Sequence, residues 1–253
     1  MTDKTQVMPP TPIYPIHASD EPLVSSSISS RRRFLQIAAG ATLAGSVIAA
    51  GVELATPRRA LAQSTLTPDV ALQQLMDGNR RFASGRLTAH DEDLDILRSK
   101  KIDKQEPFAA LLSCADSRVP VELAFDQSIG HLFVTRVAGN VVTPEIIASL
   151  EYGAVVLGTK VILVMGHRNC GAVKATIQAK EVPGQISALY PHIQPAVDQA
   201  GSDLETVIKV NAKIQAALLR QASTVISGLV KAGKLKVVAG YFDIISGAAS
   251  LLD

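Results

Sequence analysis

Tryptophan is absent from this chain, aromatic residues make up only 4% of it, and cysteine occurs twice. Two cysteines cannot build a disulfide framework, so a small cystine-stapled scaffold is excluded; one bridge between them stays open, above all in an exported protein. An excess of charge of one sign is lacking too. The first 62 residues hold six Lys/Arg against four Asp/Glu, which leaves nineteen of each in the remaining 191. A balanced body without a basic patch gives no footing for nucleic acid. Internal repeats and a second domain signature are also missing, and 253 residues suffice for one well-buried domain with appendages.

Long apolar runs are scarce. The longest candidate, Ile37 to Val52, has 16 residues before Glu53, short of the roughly 20 that cross hydrocarbon. Residues 1–29 are rich in Pro, Ser and Thr, a composition that predicts disorder. Ser30-Arg31-Arg32-Arg33-Phe34-Leu35-Gln36 then resembles a twin-arginine export signal, and Ala60-Leu61-Ala62 before Gln63 has the small-x-small form of a cleavage site. The length favours a cleaved signal over the alternative, an uncleaved signal retained as a membrane anchor. The expected division is residues 1–62 as n-region plus signal peptide and residues 63–253 as the folded domain. A periplasmic or other extracytoplasmic location follows, with the export machinery as partner of the precursor.

Within the body, turn and cap chemistry alternates with apolar runs. Thr67-Pro68-Asp69 and Thr143-Pro144-Glu145 each read as a helix opening: a capping hydroxyl, proline at the first helical position, an acid in the first turn. The first helix is expected to run to about Phe82. The second carries an apolar stripe of Ile146, Ile147, Leu150, Ala154 and Leu157 and closes at Gly158. Strands are expected over 107–113, 131–137, 160–165 and 235–242, near-continuously apolar as strands covered on both faces are. Short helices are expected over 120–125 and 170–179, helical pieces with loops over 180–202, one long helix from Ser202-Asp203 to Gly233 with an apolar stripe of Leu204, Ile208, Ile214, Leu218, Val225 and Leu229, and a short tail after Phe242. Strands alternating with helices imply an α/β fold, a mainly parallel β-sheet flanked by helices. Sites in such sheets lie beyond the carboxyl ends of the strands.

Two stretches fall there. Cys114-Ala115-Asp116-Ser117-Arg118 follows the first strand, and His167 with Cys170 follows the third. Two thiolates and an imidazole are a zinc set with an open fourth position. Bare His-x-x-Cys is a weak signal, and an unpaired cysteine is often a small buried hydrophobe, so spacing alone leaves a metal site, a disulfide and plain core cysteines all open.

The motifs say more than the spacing. Cys114, Asp116, Ser117 and Arg118, followed by Gly166-His167 and Cys170-Gly171-Ala172-Val173, resemble the β-class carbonic anhydrases. Gly78-Asn79-Arg80-Arg81-Phe82, Arg136 with Gly139 and Asn140, Leu150-Glu151-Tyr152 and Gly240-Tyr241-Phe242-Asp243 extend the likeness over residues 68–250. The resemblance implies a single domain of that fold and reversible hydration of CO2 to bicarbonate by a zinc-bound hydroxide. It implies one Zn2+ per chain on Cys114, His167 and Cys170. It also implies an Asp116–Arg118 pair that gates the fourth zinc position, with Asp116 a fourth metal ligand in the closed state. Gln127, just after the short helix, is a candidate for the substrate pocket. The family's habit implies a homodimer or higher even oligomer. Related sites that act on carbonyl sulfide or carbon disulfide, and a closed structural zinc site, remain rival readings. His131 reads as a surface histidine at a strand start, His192 as a loop residue, and Ser117 as a capping or loop hydroxyl without a base beside it.

Overall fold

The computed structural model of the chain describes residues 64–89, 93 and 105–252. The export segment and the boundary expected at residue 62 lie outside them.

Helix α1 (Pro68–Ala83) starts as its sequence demands: Thr67 Oγ1 accepts the Val70 N–H, Pro68 fills the first turn, and Asp69 faces the helix's positive end. Strand β1 (Ala109–Ser113) follows, then the single turn α2 (Val121–Ala124), β2 (Leu132–Arg136) and a 3-10 turn, Ala138–Asn140. Helix α3 (Pro144–Val155) is capped by Thr143 on the Ile146 N–H. Strand β3 (Val161–His167) leads into α4 (Gly171–Ile177), a 3-10 turn (Ile186–Leu189) and α5 (Tyr190–Ala200). Helices α6 (Leu204–Ala222) and α7 (Thr224–Lys231) precede β4 (Lys236–Phe242) and β5 (Ala249–Leu252).

The strands form one sheet in the order β2-β1-β3-β4-β5. All neighbours are parallel except β5, which runs antiparallel to β4. Alternate side chains feed opposite faces, as the pleat requires. Ala110, Leu112, Ile162 and Val164 pack under α3, α6 and α7 through Leu150, Ala212, Leu219 and Ile226. Ala109, Leu111, Val161, Leu163 and Met165 pack under α1 and α2 through Leu75, Val121 and Phe125. Each fully buried Leu or Ile contributes about 1.5–3 kcal/mol from removal of apolar surface from water. A third cluster sits past the carboxyl ends of the strands and contains Cys114, Cys170, Val173, Ile193, Ile208 and Tyr241.

The expected α/β architecture is present, with differences in its parts. Strand β3 runs on to His167, because Gly166 and His167 pair with Tyr241 and Phe242 of β4. The long helix expected to end at Gly233 is two helices, broken at Ser223. There the buried hydroxyl accepts the Ile226 N–H and donates to Glu151 Oε1 at 2.6 Å, a cap anchored to α3. Leu218 and Val225, expected on the inner stripe, face outward, while Leu219 and Ile226 are fully buried. The tail after Phe242 is the hairpin strand β5, and His192, expected in a loop, lies on α5, one of the helical pieces expected over 180–202.

Candidate metal centre

Register brings the ligands together. Ser113, last in β1, pairs with Met165 of β3, so Cys114 leaves the sheet beside Gly166 and His167. Asn169 takes a left-handed φ of 57°, tolerable for Asn, and returns the chain so that Cys170 stands at the start of α4. The two sulfurs lie 3.9 Å apart, and the ligand atoms of Cys114, His167 and Cys170 all lie within 4.8 Å of one another. All three residues are buried.

The donor chemistry suits one tetrahedral ion. Two sulfurs about 2.3 Å from a shared tetrahedral zinc stand about 3.8 Å apart, close to the separation observed. His167 Nδ1 is 3.0 Å from the Arg168 carbonyl, which can only accept, so Nδ1 carries the proton and Nε2 offers its lone pair. That Nε2 is buried without a hydrogen-bond partner among the described residues, a costly arrangement unless something binds it. Two buried thiols this close do not both ionise without a cation. The hydrogen bond from Cys170 pulls the Cys114 thiol down against burial, with help from His167 and the Gly139 and Asp116 N–H groups. Cys170 is driven up by its bond to Cys114, by burial and by the Cys114 charge.

Asp116 lies beside this cluster and rests on Arg118. Its Oδ1 accepts the Arg118 backbone N–H at 3.0 Å and Nε at 2.9 Å, and its Oδ2 accepts Nη2 at 2.8 Å. The same Oδ2 is 3.9 Å from His167 Nε2. The Arg118 guanidinium holds the Asp116 carboxyl well below the usual carboxylate range. Arg118 also lines a surface hollow of about 540 Å³ with Arg168, Tyr241 and Ile208.

Gln127 is placed elsewhere. It is buried, its Nε2 donates to Phe125 O at 2.9 Å, and it sits against Gly78 of α1, on the far face of the sheet from α3 and α6. His131 is exposed at the entrance to β2, and Ser117 is exposed.

Several residues at the site carried no role in the sequence reading. Arg136 Nε donates to Cys114 O at 3.0 Å and Nη2 to Asp116 O at 2.5 Å, clamping the ligand loop. The Gly139 N–H donates to Cys114 Sγ at 3.3 Å. Asn211 and Gln215 bind the turn that contains Gly139. The available signal was two amides at i and i+4 within an apolar helical face, an expensive place for them without partners.

Such a donor set, opening where the parallel strands of an α/β protein end, could hold a single metal ion. Its relatives narrow the class. A sequence model described as carbonic anhydrase matches residues 109–249. The carbonic anhydrase of Mycolicibacterium smegmatis is 33% identical over 192 residues, covering 73% of this chain and 93% of that protein. Carbonic anhydrase 2 of Mycobacterium tuberculosis is 32% identical over 194 residues, covering 74% and 93%. Among solved structures, the β-carbonic anhydrase CcaA matches with a TM-score of 0.58 at 25% identity, over 73% of this chain and 88% of that one. The Coccomyxa β-carbonic anhydrase in complex with acetazolamide matches with a TM-score of 0.56 at 26% identity, over 72% and 86%. The chain belongs to the carbonic anhydrase family, in its β class, and is an enzyme of that family.

Proposed function

We propose that the chain carries out reversible CO2 hydration with one Zn2+ held by Cys114, His167 and Cys170. The observation that carries this reading is the buried, unpartnered His167 Nε2 beside two thiols 3.9 Å apart. Bound there, zinc supplies a water acidified toward neutral pH as the nucleophile.

The remaining work falls to the chain. Asp116, held by Arg118, leaves the fourth ligand position open. As a carboxylate it accepts a hydrogen bond and turns the attacking oxygen's lone pair toward CO2. Arg118 fixes that carboxylate by two side-chain bonds and one backbone bond, a charge-assisted and nearly bidentate grip. Gating is the release of this grip: freed from Arg118, Asp116 Oδ2 moves the short way toward His167 Nε2 and closes the position. Hydroxide competes better with a carboxylate as pH rises, so activity rises with pH. Gln127, tied to Phe125 O at the seam between α1 and α2, stands apart from this chain's own cluster.

Two further parts of the reading concern assembly and location. Tyr152 and Val155 on α3, and Val156 just past its end, are exposed beside edge strand β2, where Tyr152 packs on Phe133. That apolar surface supports at least a homodimer. Tetrameric β-carbonic anhydrases of Sordaria macrospora share the fold, with a TM-score of 0.57 at 21% identity. The arginine run at 31–33 and the site before Gln63 support twin-arginine export to the periplasm or another extracytoplasmic space. N-terminal sequencing of exported protein should then begin at Gln63.

The deciding experiment is stopped-flow CO2 hydration from about pH 6.5 to 9 with zinc measured in the same sample. One zinc per chain and rates climbing with pH are expected. Zinc-loaded protein with buffer-level rates at every pH overturns the enzymatic reading in favour of a structural metal.

A further inference from the structure

Helix α6 buries two amides in a face that is otherwise apolar. Asn211 and Gln215 lie one turn apart, both 1% exposed, among Val207, Ile208, Ala212, Ala216 and Leu219. Their hydrogen bonds leave the helix. Asn211 Nδ2 donates to Gly139 O at 2.9 Å. Gln215 Oε1 accepts the Val142 N–H at 2.8 Å. Gln215 Nε2 donates both to His192 O at 2.9 Å and to Asn211 Oδ1 at 3.2 Å, which locks the two amides to each other and to α5. The two side chains thus grip the chain at residues 139 and 142.

What they grip is a strained turn. Gly139 and Asn140 are consecutive left-handed residues, with φ of 75° and 44°. The second is not glycine, and its own amide Nδ2 is buried without a hydrogen-bond partner among the described residues. Left-handed conformations of this kind persist where the surroundings over-determine them. Here the determinants are the α6 amides on one side and Ile193 and Ala172 packed against Gly139 on the other. The turn's outward consequence is one donor: the Gly139 N–H directed at Cys114 Sγ.

We propose that Asn211 and Gln215 are positioning residues of the metal centre, holding the 139–142 turn so that the Gly139 N–H stays bonded to Cys114 Sγ, an assignment that rests on the metal reading above. A hydrogen bond to a metal-bound thiolate draws electron density from the sulfur and fixes its direction. Groups that orient ligands in this way typically matter about 10–100-fold in metal affinity or activity. Neither amide touches the metal position, so both act through Gly139.

The test uses the full chain loaded with Co2+ in place of Zn2+, which reports sulfur through its thiolate-to-cobalt charge-transfer absorption. Loss of the N–H bond raises the energy of the sulfur electrons and moves that band to longer wavelength. Asn211→Leu should shift the band and speed zinc release to a chelator by about 10–100-fold. Gln215→Met, which leaves the Asn211 bond to Gly139 in place, should move both readouts the same way and less. Asn79→Leu is the control. Asn79 is an equally buried amide that binds Ala124 O, Gly247 O and the Ala249 N–H on the other face, so its loss should lower stability without moving the band. Parent-like band and zinc release in Asn211→Leu overturn the proposal. Should Asn211→Leu fail to fold, a parent-like Gln215→Met overturns it by the same measurement. A parent chain that shows no cobalt–thiolate band overturns the metal reading itself, and the proposal with it.

Discussion

Gly139→Ala adds a single methyl group at the tightest point of the turn beside the metal centre, and its cost divides into two separable parts. The first is backbone. At φ 75° and ψ 11° the residue is left-handed, which costs an L-residue with a side chain about 1–2 kcal/mol. The second is steric. A Cβ at this position stands 2.8 Å from Ile193 Cδ1 and 3.4 Å from Ala172 Cβ. Ile193 is fully buried, so its end methyl moves only by disturbing neighbours, and overpacking of this kind costs about 1–3 kcal/mol. The total is about 2–5 kcal/mol, and with an m value of about 2 kcal/mol/M the urea midpoint falls by about 1–2.5 M. Ile193→Val separates the parts because valine lacks Cδ1. By itself it costs about 0.5–1.5 kcal/mol, but in that background Gly139→Ala should cost only the backbone share, about 1–2 kcal/mol. Urea unfolding of the four proteins of this cycle, followed by circular dichroism, measures the coupling. Equal costs of Gly139→Ala in both backgrounds would refute the steric assignment. A cost below about 0.5 kcal/mol in the parent, the range of unremarkable surface changes, would refute the left-handed turn as well.

Three other outcomes follow from the same geometry. Asp116→Asn keeps the side chain's shape but exchanges one of two acceptor oxygens for a donor facing Arg118. Zinc content should be retained while CO2 hydration falls by about 100-fold or more, the scale of a positioned proton-handling group; near-parent rates with full zinc would remove Asp116 from the mechanism. Cys114→Ser should leave less than about a tenth of the zinc found in the parent, given the second sulfur's dependence on a cation and the weaker affinity of an alcohol oxygen for zinc, and metal analysis after dialysis checks it. Asp126 contributes to acid stability: burial opposes its ionisation, but the Ala89 and Thr88 N–H groups, Arg81 and the Thr88 hydroxyl outweigh it and set its pKa to about 2. A carboxyl depressed in the folded state stabilises fully above its unfolded value of about 3.9 and loses that contribution as pH falls through about 2, a change of about 2 kcal/mol. Asp126→Asn should flatten stability across that window in urea titrations, and an unchanged slope would place the acid sensitivity elsewhere.

The legible parts of this chain are those written in neighbouring residues. Thr67-Pro68-Asp69 and Thr143-Pro144-Glu145 open helices because a hydroxyl, a fixed φ and an acid satisfy a helix start within four residues. The apolar runs at 109–113 and 161–165 are strands because both faces of this sheet are covered. Cys114, His167 and Cys170 were recognisable because donor chemistry belongs to residue type, and their motifs carried the family. The misreadings share a cause. Ser223 breaks a periodic apolar pattern only because Glu151, 72 residues away, receives its hydroxyl. Ala249–Leu252 has neither β-branched residues nor alternation, and it is a strand because β4 offers an unpaired edge.

Residue types and short-range order thus specified the helices, the strand cores and the candidate ligand set, since caps, periodicity and donor atoms act over a few residues. The strand order, the one-residue register that sets Cys114 beside His167, and the resting of Asp116 on Arg118 came from the folded chain. So did the grip of Asn211 on Gly139, again 72 residues apart in sequence. These features depend on which surfaces meet once loops are closed and faces are buried, and buried amides declare their partners only when the partners arrive.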